Sequence, residues 1–174
     1  AHISDMHFAI LRYFNVSGAD PSGRSGQLGK NSTHLIRVST EVALGKRDGM
    51  SVYGTDYQTP DGTCIRDFIH VSDLADAHVL ALEYLSSNCK SITLNCGYGR
   101  GYSVRQVLDT VEKLAGKKIN ARSDARRGGD ARELVSDSKK IRKILGWKPK
   151  YDNLDFIIQS ALDWELRKEE MGFN

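Results

Sequence analysis

The chain lacks the features that mark several whole classes of protein. It has 174 residues and only three cysteines, Cys64, Cys89 and Cys96. These form neither a CxxC pair nor a metal-ligand pattern with the five histidines, so we expect reduced thiols and no metal site. No apolar run approaches the roughly 18 residues of a membrane span, and the first residues have no signal-peptide core. We therefore expect a cytoplasmic protein without a membrane partner.

The chain also has no large excess of positive or negative charge. The formal net charge is only +3, which gives no reason to expect a nucleic-acid partner. The histidines form no HxxxH set, and there is no Gly-x-Ser-x-Gly elbow. The length is sufficient for one domain with a real core. Metal-dependent hydrolysis and serine hydrolase chemistry are thus not supported.

The hydrophobic pattern alternates between strand-like and helix-like segments. Residues 7–16 form a short apolar and aromatic run that predicts a buried strand of the parallel type. Apolar residues recur at helical spacing from Leu35 onwards. Ser103 and Gln106 form a capping box ahead of another helix, which Gly116 ends. Further strands are predicted at residues 51–53, 91–96 and 118–122, and Asp137 is predicted to cap a short helix. The order indicates an α/β fold.

Residues 63–71 alternate as in a strand that presents Arg66 beside an aromatic ring. Cys64, Arg66, Phe68 and His70 would share one face, and Ser72 would cap the helix that follows. The planar fork of an arginine matches phosphate oxygens, and a strand holds it rigidly. The alternative is a solvated salt bridge of Arg66 with Asp67 or Asp73, which for an isolated arginine is the commoner outcome.

Two glycine-containing segments are candidates for phosphate contacts. Residues 126–130, RRGGD, combine two guanidinium groups with flexible glycines and a carboxylate that can accept hydrogen bonds from ribose or sugar hydroxyls; a solvated turn explains them equally well. Residues 97–101, GYGRG, follow a predicted strand and precede a helix, with Asp124 further on, as in a dinucleotide fingerprint. The third glycine of that fingerprint is replaced by Tyr102, so we predict a tight turn instead.

Several motifs together resemble the UDP-glucose 4-epimerases, a family of extended short-chain dehydrogenases/reductases. They are RYFN at residues 12–15, YGTDY at 53–57, DGTCIRDFIHV at 61–71, DLADAH at 73–78 and RGGD at 127–130. The resemblance covers nearly the whole chain in order and at matching spacing, and it corresponds to the C-terminal half of such enzymes. It implies a remnant strand of the NAD-binding Rossmann domain at residues 1–17 and a UDP-sugar-binding domain at residues 18–174.

The resemblance also implies roles for individual residues. Asn15, His34 and Leu35 would contact the UDP-sugar; His34 stands where the family often has asparagine. Ser51, Val52 and Tyr53 would border the uracil. Arg66 and Arg127 would hold the diphosphate and Asp130 the ribose, while Leu134 lies where the fit of N-acetylated sugars is tuned. Tyr13 and Val16 would lie near the nicotinamide of NAD, and some members have proline in place of Val16.

The family reaction is oxidation of the sugar C4 hydroxyl by NAD, rotation of the 4-keto sugar and return of the hydride. It needs a tyrosine with a lysine four residues later and a glycine-rich cofactor loop. None of the seven tyrosines here has a lysine four residues later. We therefore expect no catalytic residue in this chain, no NAD bound by it alone, and activity only with a complementing N-terminal half.

Three functional hypotheses remain at this point. The chain is the substrate-binding portion of an enzyme that interconverts UDP-glucose and UDP-galactose, a non-catalytic UDP-sugar-binding module, or part of another sugar-nucleotide epimerase or dehydratase. If the N-terminal strand normally has neighbours upstream, its exposed edge favours oligomers formed through it.

Overall fold

The computed structural model describes residues 6–29 and 31–173, which form a mixed α/β fold as predicted. Residues 1–5 of the strand unit predicted at residues 1–17 lie outside this description. In chain order the elements are β1 (Ala9–Tyr13), β2 (Asn15–Ser17), α1 (Leu35–Ala43), β3 (Met50–Tyr53), β4 (Ile65–Arg66), β5 (Phe68–His70), α2 (Val71–Asn88), β6 (Ile92–Cys96), β7 (Tyr102–Ser103), α3 (Val104–Ala115), β8 (Ala121–Asp124), β9 (Glu133–Leu134), α4 (Lys139–Leu145) and α5 (Leu154–Glu170).

Most strand pairs are parallel and join segments far apart in the chain. β1 pairs with β6, β2 with β5, and β3 with β8, all in parallel. β4 lies between β7, which is antiparallel to it, and β9, which is parallel. Parallel pairing requires a crossover connection, which explains why helices separate the paired strands. Each parallel pair consequently places two segments that are distant in the sequence side by side.

The core lies between the helices and these strands. α1, α3 and α5 pack against one another, and β6 contributes alternate buried side chains. Trp147, Phe68, Leu94 and Ile157 are among the largest fully buried side chains. Their burial supplies the hydrophobic free energy that holds the short strands in place.

The strand predicted at residues 7–16 is two strands. The chain changes partner at Phe14: β1 lies beside β6, whereas β2 lies beside β5. The same happens at Asp67, where the strand predicted within residues 63–71 divides into β4 and β5. Asp67 and Ile69 are fully buried together with Phe68 and His70. The prediction of one continuous strand is therefore wrong, and side chains of both predicted faces are buried at residues 67–70.

One of the predicted caps is wrong: α2 is capped by His70, whose Nδ1 accepts a hydrogen bond from the backbone N–H of Ser72, rather than by Ser72 itself. α4 begins after Ser138, which makes no side-chain cap, but Oδ1 of Asp137 accepts a hydrogen bond from the N–H of Lys139 at 3.1 Å, as the predicted capping role requires. The predicted capping box of α3 is confirmed, as is its end at Gly116 in the left-handed conformation. The strand predicted at residues 118–122 lies later, at β8.

Candidate functional site

An open cleft of about 430 Å³ lies where the N-terminus of α1, the strands β3 and β4, and the segment after β8 meet. Nine of the ten residues predicted to bind substrate line it. They are Asn15, His34, Leu35, Ser51, Val52, Tyr53, Arg66, Arg127 and Asp130. These residues come from five separate parts of the sequence, so only the fold brings them together.

Leu134 is the predicted substrate residue that does not line the cleft. It lies on β9 beside Arg66 in the strand ladder, and its side chain is 44% exposed. The two residues predicted to lie near the nicotinamide are also elsewhere. Tyr13 is half-exposed at the end of β1 with its ring edge-on to His78, and Val16 lines a second cavity. His34 lines both cavities.

Arg66 is held in place by its own chain. One guanidinium nitrogen, Nη1, donates to the carbonyl oxygens of Ile65 and Ala131, both at 2.8 Å. The other, Nη2, lies 3.4 Å from Oδ1 of Asp130, and the side chain is only 14% exposed. An ordinary surface Arg66 was expected to pair with Asp67 or Asp73. Its ion pair in the structure is with Asp130 instead. Arg66 is instead a partly buried cation in the wall of the cleft.

The neighbouring arginines of the RRGGD segment face different surroundings. Arg127 lies over the ring of Tyr53, with its guanidinium carbon 3.7 Å from the ring centroid. Hydrogen bonding by Arg127 and by Ser51, together with the positive charge of Arg127, lowers the pKa of Tyr53. Arg126 points away, where it pairs with Asp56 at 2.7 Å and lies over Tyr57. Only one of the two predicted phosphate-binding arginines of this segment therefore contributes to the cleft.

Nine further residues line the cleft that were not predicted to bind substrate, among them Arg47 and Cys64. Arg47 lines it and forms an ion pair with Glu41 at 3.0 Å; its position in a polar turn after α1 carried no signal. Cys64 also lines the cleft, and burial raises the pKa of its thiol. The position of Cys64 could have been inferred from the predicted strand, which placed Cys64 and Arg66 on the same face, because both residues line the same cavity.

The glycine turn after β6 cannot serve as a pyrophosphate cradle. Its backbone N–H groups at Tyr98 and Gly99 donate to the carboxylate of Asp67, at 3.1 and 3.0 Å. A Cβ on Gly97 would lie 2.7 Å from that carboxylate, so glycine is required for the close approach. The chain's own anion thus occupies the place that a dinucleotide phosphate would need. The residues of this turn do not fit NAD.

Among the residues that the structure describes, no group of three or more histidine, cysteine or acidic side chains could hold a metal ion. In the same part of the chain, no helix is both long and apolar enough to span a bilayer.

Comparison with known proteins identifies the family. Residues 1–97 match the NAD dependent epimerase/dehydratase family, and the chain belongs to it. The UDP-glucose 4-epimerase of Azospirillum brasilense is 56% identical over 165 residues, which are 95% of this chain and 47% of that protein.

Solved structures agree with this assignment. The UDP-glucose 4-epimerase of Brucella ovis in complex with NAD has a TM-score of 0.87 at 44% identity, over 91% of this chain and 49% of that one. The enzyme of Stenotrophomonas maltophila with bound NAD and formylated UDP-arabinopyranose has a TM-score of 0.91 at 37% identity, over 97% and 50%. The chain spans about half the length of the relatives it matches.

Proposed function

We propose that this chain forms the UDP-sugar-binding portion of a UDP-glucose 4-epimerase. The observation that carries the proposal is the gathering of nine predicted substrate residues in one cleft. Two of them, Arg66 and Arg127, are arginines on its walls. A diphosphate carries the negative charge and the paired oxygens that guanidinium groups bind best.

The proposed orientation of the nucleotide follows from the chemistry along the cleft. Residues 51–53 of β3 border the uracil, and Asp130 accepts hydrogen bonds from the ribose hydroxyls. Arg66 and Arg127 hold the diphosphate between them. Asn15, His34 and Leu35 then lie towards the hexose, on the side where Val16 opens the second cavity.

Catalysis is assigned to the part of the enzyme that corresponds to the half of its relatives that this chain does not span. No tyrosine of this chain is followed by a lysine four residues later, and the turn after β6 does not accept a pyrophosphate. Of the residues here, only Tyr13 and Val16 are proposed to approach the cofactor. In the complete enzyme, bound NAD supplies the oxidation and reduction at C4 that interconverts UDP-glucose and UDP-galactose.

Titration calorimetry with UDP tests the binding site. Arg66→Ala removes charge-assisted hydrogen bonds worth roughly 1.5–3 kcal/mol, so we expect UDP affinity to fall about 10- to 100-fold. Arg126→Ala is the matched control, because this arginine pairs with Asp56 outside the cleft. Equal affinity of the Arg66→Ala variant and the unmodified chain would disprove the diphosphate assignment.

Mixing this chain with the N-terminal half of a related epimerase tests the catalytic assignment. We expect NAD-dependent interconversion of UDP-glucose and UDP-galactose. UDP binding without any epimerisation, when both halves are folded, would favour the alternative of a non-catalytic UDP-sugar-binding module.

A further inference from the structure

Asp67 is a fully buried carboxylate at the point where the strand β4 ends and β5 begins. Its side chain accepts three backbone hydrogen bonds, from Tyr98 at 3.1 Å, Gly99 at 3.0 Å and Ser136 at 3.2 Å. Charge-assisted bonds of this kind are among the stronger ones in proteins. They fasten the turn after β6 and the segment after β9 to the residue that directly follows Arg66.

The backbone of Asp67 makes two further contacts, and both lead to the proposed site. Its N–H donates to the carbonyl oxygen of Leu134, and its carbonyl oxygen accepts from the N–H of Asn15, each at 3.2 Å. Asp67 is therefore linked to Asn15 by one backbone hydrogen bond and to β9 by a second one. It is linked to Arg66 directly, as the next residue of the chain. β9 continues from the loop whose Ala131 carbonyl receives the Arg66 guanidinium at 2.8 Å.

We propose that Asp67 is a positioning residue for UDP-sugar binding, which fixes the guanidinium of Arg66 for the diphosphate by clamping β4, β9 and the Gly97 turn together. The inference rests on the proposed function, because it assigns the diphosphate to Arg66. Asp67 itself does not line the cleft. It acts through Arg66, so its loss should weaken the phosphate contact selectively.

The test compares the affinity for UDP with that for uridine, which lacks the diphosphate. Both are measured by calorimetry on the full chain, with uridine in a displacement titration. In Asp67→Asn at least one backbone N–H would face an amide N–H instead of an oxygen. We expect the ratio of the uridine to the UDP dissociation constant to fall about 10-fold in this variant, since a tenfold change is what loss of one charge-assisted contact produces.

Asp73→Asn is the matched control. Asp73 is also a fully buried carboxylate with three hydrogen bonds, from the hydroxyl of Tyr98 and the N–H groups of Lys150 and Tyr151. It lies outside the cleft lining. A merely structural role of Asp67 predicts that both variants lower stability and leave the ratio unchanged.

The outcomes separate the inference from the proposed function. An unchanged ratio in folded Asp67→Asn, with UDP bound by the unmodified chain, would overturn the inference and leave the proposed function intact. No UDP binding by the unmodified chain would overturn both. If Asp67→Asn does not fold, Gly97→Ala replaces it, because the added Cβ would press on the carboxylate from 2.7 Å while its charge is retained; the same fall in the ratio is expected, and an unchanged ratio contradicts the inference.

Discussion

The guanidinium of Arg127 covers the ring of Tyr53, although both residues are proposed to contact the same nucleotide. A stacked arginine and tyrosine at 3.7 Å form a favourable cation–π pair in the free chain. A uracil that packs on Tyr53 therefore competes with Arg127 for the ring. Binding would transfer the guanidinium from the ring to the diphosphate.

Removing Arg127 should change a property of Tyr53 as well as nucleotide binding. Arg127 lowers the pKa of Tyr53 by hydrogen bonding and by its positive charge, so in Arg127→Ala we expect this pKa to rise towards the usual value of about 10. Ultraviolet difference titration, with Tyr53→Phe to assign the signal, measures it. UDP affinity should fall about 10-fold or more, as for other charge-assisted contacts. A Tyr53 pKa that stays the same in Arg127→Ala would show that the stacked geometry does not persist in solution.

Asp130 should determine how the chain distinguishes ribose from deoxyribose. Its carboxylate faces Arg66 at 3.4 Å and is only partly buried, which leaves acceptor positions for sugar hydroxyls. We expect the unmodified chain to prefer UDP over 2′-deoxy-UDP about 5- to 10-fold, and Asp130→Asn to lose most of this preference. Competition titration with the two nucleotides provides the measurement. The ribose assignment fails if the preference is the same in both proteins.

His70 should make the stability of the fold depend on pH. Burial lowers its pKa, while its ring caps α2 and lies within 3.3 Å of the Ser160 hydroxyl. Because the unfolded chain has the higher histidine pKa, about 6.5, it binds more protons than the folded chain just below that value. The stabilisation by neutral His70 is thus complete above about pH 6.5 and is lost as the pH falls through and below it.

Urea unfolding at pH 7.5 and pH 5.5 measures this effect. We expect a lower midpoint at pH 5.5 for the unmodified chain and a smaller difference for His70→Gln. The variant shares every other titrating group, including Asp67, whose pKa burial raises. Equal pH dependence of the two proteins would exclude His70 as the cause.

The first strand should promote self-association. β1 pairs with β6 along one edge, and Phe8 and Ile10 are 54% and 46% exposed. Apolar strand edges attract further strands, and a charge placed on them prevents this. We expect light scattering to show concentration-dependent oligomers that Ile10→Lys reduces. Leu82→Lys, on an exposed position of α2, is the control and should leave the oligomers unchanged; an equal effect of both would argue against association through β1.

Local signals in the sequence indicated only part of the site, and the roles of Asn15, His34, Leu35 and residues 51–53 were implied by the resemblance to the epimerase family. Arg66 was identified as a strand arginine next to an apolar run, and the RRGGD segment by its composition. The capping box of α3 could also be predicted from the sequence, since it involves only Ser103 and Gln106, which are three residues apart.

Features that depend on distant segments could not be read in this way. The cap of α2 by His70 requires a buried imidazole, which tertiary packing provides and propensity does not. The role of Asp67 depends on N–H groups of Tyr98 and Ser136, 31 and 69 residues further along the chain. No pattern near Arg47 indicates that its side chain reaches the cleft, because that follows only from the packing of α1 and β3.

Arg126 and Arg127 have the same side chain and opposite surroundings, one paired with Asp56 and the other stacked on Tyr53. What distinguishes them is their place along the segment that joins β8 to β9. Inserting a single residue before them would bring Arg126 to the place that faces the cleft, whereas deleting one would bring Gly128 there and leave the cleft without a guanidinium from this segment. The spacing of this segment, more than the number of its positive charges, therefore decides whether the site is complete, and in designed or divergent relatives its length should be examined before its composition.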